Sequence, residues 1–490
     1  MRSTRDVTGK LVNNLPPLAA LGRVAEMREE KMQDFKGLIG ALPLAAVFLM
    51  PVMALGQDPA GPWPIDNRTY TAADGILETP IVGTTTDETQ NLWVATNDAL
   101  YLLKPGDATF QRYAAADGLH FQSNPVSYCD RYLGGGDHAC PIFGGAAAWG
   151  ISEIVGGGSN EVFIGYYGND DGTQDWSDPN RHTGKVDRVR LNPDGSLQVD
   201  RFDLVLVGAG AQWWHNRTVQ RMVFDHFIHP HQLYVGLNHG VDRLSPDQFR
   251  YPRPDEWFDT VHREWMGDHL HPHVCYPSCD IDPNNQLMGD WRGLAIAPDG
   301  DLWVAGSWTA GKVRWDPDVF TWANRRGEVA FAWAFGDPYV RPTPVDAPGF
   351  FNEPVFRPPH EGDKVFLSAV SVATDGRVWF ASGPYWIDIN YGVAVFDGST
   401  FQTYDPVTQI GMAERNVRDL MALPDGRIAL AGPNTGLVIW NPSTGESLSL
   451  RAPDWLADDR VHRMELDTMV SPPALHVSTN SGATVIRVLP

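Results

Sequence analysis

Histidine is the residue type whose placement first suggests chemistry in this chain. Nine of the fifteen histidines fall between residues 215 and 273. They include two His-Pro-His trios, His229-Pro230-His231 and His271-Pro272-His273. Proline holds such a trio extended, so its two imidazoles can point the same way. Imidazole is a frequent ligand for zinc, copper and nickel. The candidate metal ligands are His215, His239, Asp268, His269, His271 and His273, and a divalent ion, zinc or calcium, is the cofactor they would hold. No ligand spacing of the H-E-x-x-H kind accompanies them, so ordinary surface histidines titrating near neutrality are the competing reading.

Arginine forms a second constellation: Arg217, Arg292, Arg415, Arg418, Arg460 and Arg463. Guanidinium groups gathered around a cavity bind anions through forked hydrogen bonds. Asp290, Glu414, Asp419, Asp459 and Glu465 lie close by in sequence and could neutralise them instead. Tryptophan is the third type. Trp149, Trp213, Trp214 and Trp386 lie in long segments between strand-like runs, where aromatic faces with a polar handle suit a carbohydrate or another ligand. They could equally build small cores within those segments. Asn169, Asp170, Asp171, Asp175 and Asp178 make an oxygen-rich run without the spacing of a calcium-binding EF-hand. Neither a phosphate-binding Walker loop nor a G-x-S-x-G nucleophile elbow is found.

The elements that must position these residues are set by a repeated phrase. Asn91-Leu92-Trp93-Val94-Ala95-Thr96 returns as Asp301-Leu302-Trp303-Val304-Ala305-Gly306 and as Arg377-Val378-Trp379-Phe380-Ala381-Ser382. Weaker copies begin at Glu161, Gln232, Arg427 and Ala474. An apolar strand and a turn precede each copy, and the Asp-Gly turns at 299–300, 375–376 and 425–426 are of the hairpin-forming kind. The units start near 79, 148, 217, 291, 368, 416 and 460. Four-stranded units repeated around an axis predict an all-β, seven-bladed β-propeller with the blade-to-blade stack as its core. The regularly spaced tryptophans then belong to that core. The last unit has three strands. Residues 68–76 match the fourth-strand phrase at 111–119, so an N-terminal strand is expected to close the last blade and cover its edge.

Strands of a blade are lettered A to D from the axis outward. The D-to-A and B-to-C connections share one face of a propeller. The long segments 116–148, 205–217, 248–289 and 323–366 are predicted D-to-A connections, and 168–184 and 383–391 B-to-C connections. Gathered on one face, such loops are expected to carry function.

The pattern from Ile81 to Leu119 resembles the two-component regulator propeller repeat: apolar strand, turn, Asn-Leu-Trp-Val-Ala-Thr, Leu-Tyr, Phe-x-x-Tyr and Asp-Gly-Leu. The resemblance implies a periplasmic propeller. The family's namesakes carry a membrane helix and a sensor kinase after the propeller, modules not expected here. The repeat brings no catalytic residues with it.

Composition narrows the class further. Lys and Arg number 38 against 60 Asp and Glu, for a net charge of −22. That argues against sequence-independent nucleic-acid binding and against anionic lipid. Residues 37–55 carry no charge, follow Lys31 and Lys36, and end at small residues near Gly56. This is the layout of a secretory signal peptide, with a membrane anchor as the alternative. Residues 1–56 are thus expected to be leader and 57–490 the propeller, a periplasmic or secreted monomer with no membrane attachment after cleavage. Export makes disulfides the expected state of Cys129, Cys140, Cys275 and Cys279, nearest neighbours pairing, with other pairings and a zinc site open.

Two functional readings follow. One is a non-catalytic exported propeller that binds a ligand, a glycan or an envelope protein on its loop-rich face. The other is a metal-dependent lyase or hydrolase with a His-rich site at that face, which rests on fold-level analogy.

Overall fold

The computed structural model describes residues 63–119, 150–166, 184–204, 219–228, 231–237, 241–250, 264–270, 291–306, 310–313, 367–383 and 392–488, all within the compact unit Gly56–Pro490. These residues form antiparallel sheets with almost no helix, in a β-propeller arrangement.

Sheet I runs, from A to D, Ile81–Thr86, Leu92–Thr96, Leu100–Leu103 and Gln111–Tyr113. Sheet II comprises Ile151–Gly156, Glu161–Tyr166, Gly184–Leu191 and Leu197–Leu204. Sheet III comprises Arg221–Asp225, Gln232–Gly236, Val241–Arg250 and Glu264–Leu270. Sheet IV has three described strands, Trp291–Ile296, Leu302–Gly306 and Ala310–Val313. Sheet V comprises Leu367–Val372, Val378–Ser382, Val393–Phe396 and Phe401–Tyr404. Sheet VI comprises Asp419–Ala422, Ile428–Gly432, Gly436–Trp440 and Ser447–Leu450. Sheet VII comprises Val461–Asp467, Ala474–Thr479, Ala483–Val488 and, as its outer strand, Ile65–Tyr70. Six sheets therefore have four strands; the fourth strand expected for sheet IV, near 320–322, lies outside the described residues.

The repeated phrase is strand B of each sheet. Its apolar residues face both ways because each sheet is covered on both faces by its neighbours. Trp93 packs between sheets I and II, Trp303 between IV and V, and Trp379 between V and VI. A further cluster containing Tyr70, Leu92, Val94, Ala474 and Val485 joins sheet VII to sheet I. The Asp-Gly turns hold glycine in the left-handed region, with Gly300 at φ 90, Gly376 at φ 84 and Gly426 at φ 89. The preceding aspartate Oδ1 accepts the N–H two residues on, as Asp375 does from Arg377 at 3.1 Å.

The closing strand pairs Ile65 with Val488 through Tyr70 with Ala483. It ends at Tyr70, earlier than the 68–76 phrase predicts. Asp74 explains the difference: its carboxylate accepts the Thr71 N–H at 2.8 Å, and Gly75 turns left-handed at φ 101, folding 72–74 into a 3-10 turn. The matching segment does the same after sheet I, where Asp117 accepts the Ala114 N–H at 2.8 Å and Gly118 has φ 99.

One predicted connection is corrected. Residues 248–289 do not form a single D-to-A loop. Strand C of sheet III continues to Arg250, and Glu264–Leu270 is its strand D, with Arg250 opposite Glu264 and Val241 opposite Leu270. The strand was concealed in sequence by its charges and by Gly267. Residues 251–263 are consequently a C-to-D connection on the opposite face, so the long connections are not all on one side. The A-to-B connections remain short, from 87–91 in sheet I to 468–473 in sheet VII.

Sheets I and II approach so closely that only glycine fits at Gly156. A Cβ there would overlap the Thr86 carbonyl oxygen, and the Gly156 N–H donates to Thr85 Oγ1 at 2.7 Å. Gly156→Ala is expected to cost about 1–3 kcal/mol through overpacking, read as a lowered midpoint in urea unfolding. Gly106→Ala, where a Cβ would meet nothing within 4 Å, is the surface control; its own cost there comes from its φ of 92.

Candidate functional site

The inner strands share a device. In sheets I, II, IV, V and VII, one residue near the start of strand A is bulged out of register with strand B. A bulge re-aims the side chains next to it. The residue that follows always faces the small residue of the strand B phrase. Gly83 faces Ala95, Glu153 faces Gly165, Arg221 faces Gly236 and Gly293 faces Ala305. Ala369 faces Ala381, Asp419 faces Ala431 and Arg463 faces Ser478. These seven positions share one register relative to strand B, and four of them are charged.

Those four charges cross-link the shaft. Arg463 Nε donates to Glu153 Oε2 at 2.9 Å, joining sheets VII and II. Arg221 Nη1 lies 3.2 Å from Asp419 Oδ2, joining III and VI. The two arginines also exchange backbone contacts. Arg463 Nη2 donates to the Gln220 carbonyl at 2.7 Å, and Arg221 Nη2 to the Met464 carbonyl at 3.1 Å. Asp419 Oδ2 further accepts the Met464 N–H at 2.8 Å. All four residues are buried. Desolvation raises the Glu153 carboxyl above its ordinary range, opposed chiefly by Arg463.

Sheets VII and I meet through a polar seam beside this plug. Thr84 and Ser478 hydroxyls are 2.8 Å apart, Thr85 Oγ1 donates to Glu465 Oε1 at 2.5 Å, and Thr86 Oγ1 donates to Asp467 Oδ2 at 2.8 Å. Glu465 is half-buried by surface, yet desolvation inside the seam pushes its carboxyl up to about 8, with Thr85 and Arg221 pulling the other way. His476 stands at the tryptophan position of the phrase, opposite Glu465. Burial pushes its imidazole down to about 4.

The predicted arginine constellation is thus partly assembled. Arg463 and Arg292 are buried in inner strands. Arg418 donates to His462 Nδ1 at 3.0 Å and to the Val461 carbonyl at 3.2 Å. His462 Nε2 is 2.9 Å from Asn480 Oδ1, and burial with the Arg418 charge pushes it down to about 3. Arg415 stands apart at the surface, 2.7 Å from Asp405. The sequence-adjacent carboxylates supply few of the partners. Arg463 takes Glu153, 310 residues away. Arg221 and Glu153 were missed because each sits in an otherwise ordinary strand; aligning the inner strands on the small phrase residue would have found them.

Of the candidate metal ligands, Asp268 and His269 are on strand D of sheet III, opposite Arg243 and Asp242 in register. His215, His239, His271 and His273 lie outside the described residues, as do Arg217, Trp149, Trp213, Trp214, Trp386, all four cysteines and the acidic run at 169–178. Among the described residues no three metal-binding side chains are arranged to hold an ion. No helix among them is long and apolar enough to cross a membrane.

A polar chain not foreseen from sequence lies on the face of the short A-to-B turns. Glu88 Oε1 is 3.3 Å from His226 Nδ1 and 3.6 Å from His231 Nε2. His231 Nδ1 is 3.3 Å from Asp247, which Arg188 holds at 2.8 Å while also binding Glu161 at 2.5 Å. His231 ends the first His-Pro-His trio and sits at φ 63.

No family model matches the chain, and no curated protein matches it. Among solved structures it is similar to the extracellular domain of the putative hybrid two component system BT3049 from B. thetaiotaomicron, with 13% identity and a TM-score of 0.47, covering 86% of this chain and 42% of that one. The corresponding BT4673 domain gives 12% identity and a TM-score of 0.32 over 82% of this chain and 39% of that one. The chain thus spans less than half the length of either. A structure of YCF48 bound to D1 peptide gives 10% identity and a TM-score of 0.43 over 87% and 97%.

Proposed function

We propose that this chain is an exported, non-catalytic propeller that binds a ligand or an envelope partner, with carbohydrate the first class to test, on the face of its D-to-A and B-to-C connections. The seven sheets are read as seven blades of one ring, 1–56 as a cleaved leader and 57–490 as the working domain. Cys129–Cys140 and Cys275–Cys279 would stiffen the binding loops in the periplasm or outside the cell.

The observation that carries this reading is the shaft. Its charged level is satisfied within itself: Arg463 with Glu153, Arg221 with Asp419, and the arginines with carbonyls across the axis. Groups so engaged are scaffold rather than reactive machinery. Binding is then left to the faces. The A-to-B turns are short, and the longer connection 251–263 joins strands C and D of sheet III on their side, whereas the connections 120–149, 205–218 and 271–290 follow strand D and so leave the opposite face. Loops held on a rigid scaffold are where recognition is usually placed. The test is an array of bacterial glycans probed with the purified protein. Saturable binding without turnover of the bound glycan is expected; release of cleaved product would replace this reading with an enzymatic one.

A further inference from the structure

His231 meets a carboxylate at each of its ring nitrogens. Nδ1 is 3.3 Å from Asp247 Oδ2, and Nε2 is 3.6 Å from Glu88 Oε1. A neutral imidazole has one N–H and one lone pair, and an ionised carboxylate only accepts. In either neutral tautomer, one nitrogen of His231 would turn its lone pair on a carboxylate oxygen. The imidazolium, with an N–H on both nitrogens, completes the arrangement. His226 adds to the demand, because its Nδ1 lies 3.3 Å from the same Glu88 oxygen.

These residues belong to two different sheets. Glu88 stands in the A-to-B turn of sheet I, His226 and His231 in that of sheet III, and Asp247 on strand C of sheet III. The turn of sheet II touches both sides: a Cβ at Gly158 would lie 3.6 Å from His231 Cε1 and 3.9 Å from Glu88 Oε2. Phe224 packs its ring against both imidazoles, with centroids 4.8 Å from His226 and 5.6 Å from His231. Sheet II contributes Arg188 and Glu161, and Arg188 is shared between Glu161 and Asp247. Glu161 Oε1 also accepts the Gly158 N–H at 3.3 Å. Asp225 serves its own turn, accepting the Phe227 and Ile228 N–H groups at 3.0 and 2.8 Å. Of these charged groups Arg188 alone is a cation, and two carboxylates already divide it. Desolvation would raise the Asp247 carboxyl, but Arg188 and then His231 outweigh it and hold it below its ordinary range.

We propose that His231 is a proton-operated bridge: as the imidazolium it ties Glu88 of sheet I to Asp247 of sheet III, with His226 on the same Glu88 oxygen, and so fixes the A-to-B turn that presents Phe227 and Ile228. Imidazole is the side chain whose charge ordinarily changes between about pH 5 and 8. The bridge is made while the proton is bound and is lost as the pH rises through that range. Phe227 is 64% exposed and Ile228 38%, so the proton sets how firmly an apolar tip is held on this face. The His231 and Asp247 side chains are 44% and 55% exposed. Solvent screens such pairs, and the effect is therefore read locally rather than from global stability. The bridge is independent of what the opposite face binds.

The test follows the His226 and His231 ring protons by NMR from about pH 5 to 8, using selectively labelled histidine in the full-length protein. Glu88→Gln, Asp247→Asn and the double variant are compared with the parent; each carboxamide matches its carboxylate in size. Either single variant should weaken proton binding at His231 at least twofold, and the double variant should weaken it more than either. His226 should respond at least twofold to Glu88→Gln and less to Asp247→Asn. The bridge itself is read at the His231 amide, whose N–H donates to the Asp225 carbonyl at 2.8 Å. Its hydrogen-exchange protection, corrected for the intrinsic pH dependence of exchange, should be at least threefold greater at about pH 5 than at about pH 8. That difference should vanish in the double variant. Three results overturn the inference: His231 titrates alike in the parent and the double variant, the parent's protection is equal at the two pH values, or its pH difference persists undiminished in the double variant.

Discussion

Arg463→Met should destabilise the protein by about 3–5 kcal/mol, the cost typical of removing one partner from a buried ion pair. The substitution strands Glu153 in the shaft without its 2.9 Å partner and leaves the Gln220 carbonyl without its 2.7 Å donor. Glu153 would then take up a proton rather than remain a lone buried anion, the direction in which desolvation already pushes it. Removing both charges as Arg463→Met with Glu153→Leu should recover most of the loss, because an apolar pair of similar volume need not be desolvated. Arg463→Lys should fall between, keeping the charge and losing the fork that serves two acceptors. Urea unfolding of the four proteins measures this. A loss below about 1 kcal/mol for Arg463→Met, or a double variant as damaged as the single, would mean that the shaft charges are not coupled as described.

The second large effect is on pH dependence. Glu465 has its carboxyl raised from 4.5 to about 8. The folded protein therefore holds a proton that the unfolded chain has released once the pH exceeds 4.5. Stability from this group is fully present below that pH and falls as the pH rises towards 8. His462 and His476 act with the opposite sign. Their imidazoles are lowered from 6.5 to about 3 and about 4, so the unfolded chain binds protons that the folded one refuses, and stability falls as the pH drops below 6.5. The curve should be a dome with its top near pH 6–7. At about 1.4 kcal/mol per pKa unit, each limb is worth a few kcal/mol, less than the full shift for Glu465 because its carboxyl keeps some contact with solvent. Glu465→Gln should flatten the alkaline limb between pH 6.5 and 8 and steepen the acid limb between pH 4.5 and 6.5, where Glu465 no longer opposes the histidines. A parent protein equally stable at pH 6.5 and 8 would contradict the placement of Glu465.

How much of this was legible in sequence depends on range. The phrase ending Leu-Trp-Val-Ala identified strand B, since an apolar run with a following turn and a fixed spacing is a local signal. The Asp-Gly turns and the paired Ala-Ala-Asp-Gly segments at 72–75 and 115–118 were equally local, and both fold alike. Arg463 was visible as a shaft residue, but its partner was not. Pairing across an axis depends on which residues share a level, and that is fixed by the bulge in strand A. The outer strand of sheet III escaped notice for a different reason: an edge strand packs on one side only, so Glu264–Leu270 needs little apolar pattern. With that strand in place, Asp268 and His269 are held in register by backbone pairing, next to the sheet end from which His271 and His273 follow in sequence.

On the proposed reading, the shaft is scaffold and recognition falls to the connections that follow strand D. The most direct measurement compares the two faces in one binding assay, using whichever array glycan the protein retains. Trp386→Ala and Trp213→Ala with Trp214→Ala should reduce affinity at least tenfold while the unfolding midpoint holds. Phe227→Ser and Glu88→Ala, on the short-turn face where Phe227 is 64% exposed, should leave affinity unchanged. Binding that survives the tryptophan variants and is lost with Phe227→Ser or Glu88→Ala would contradict the account.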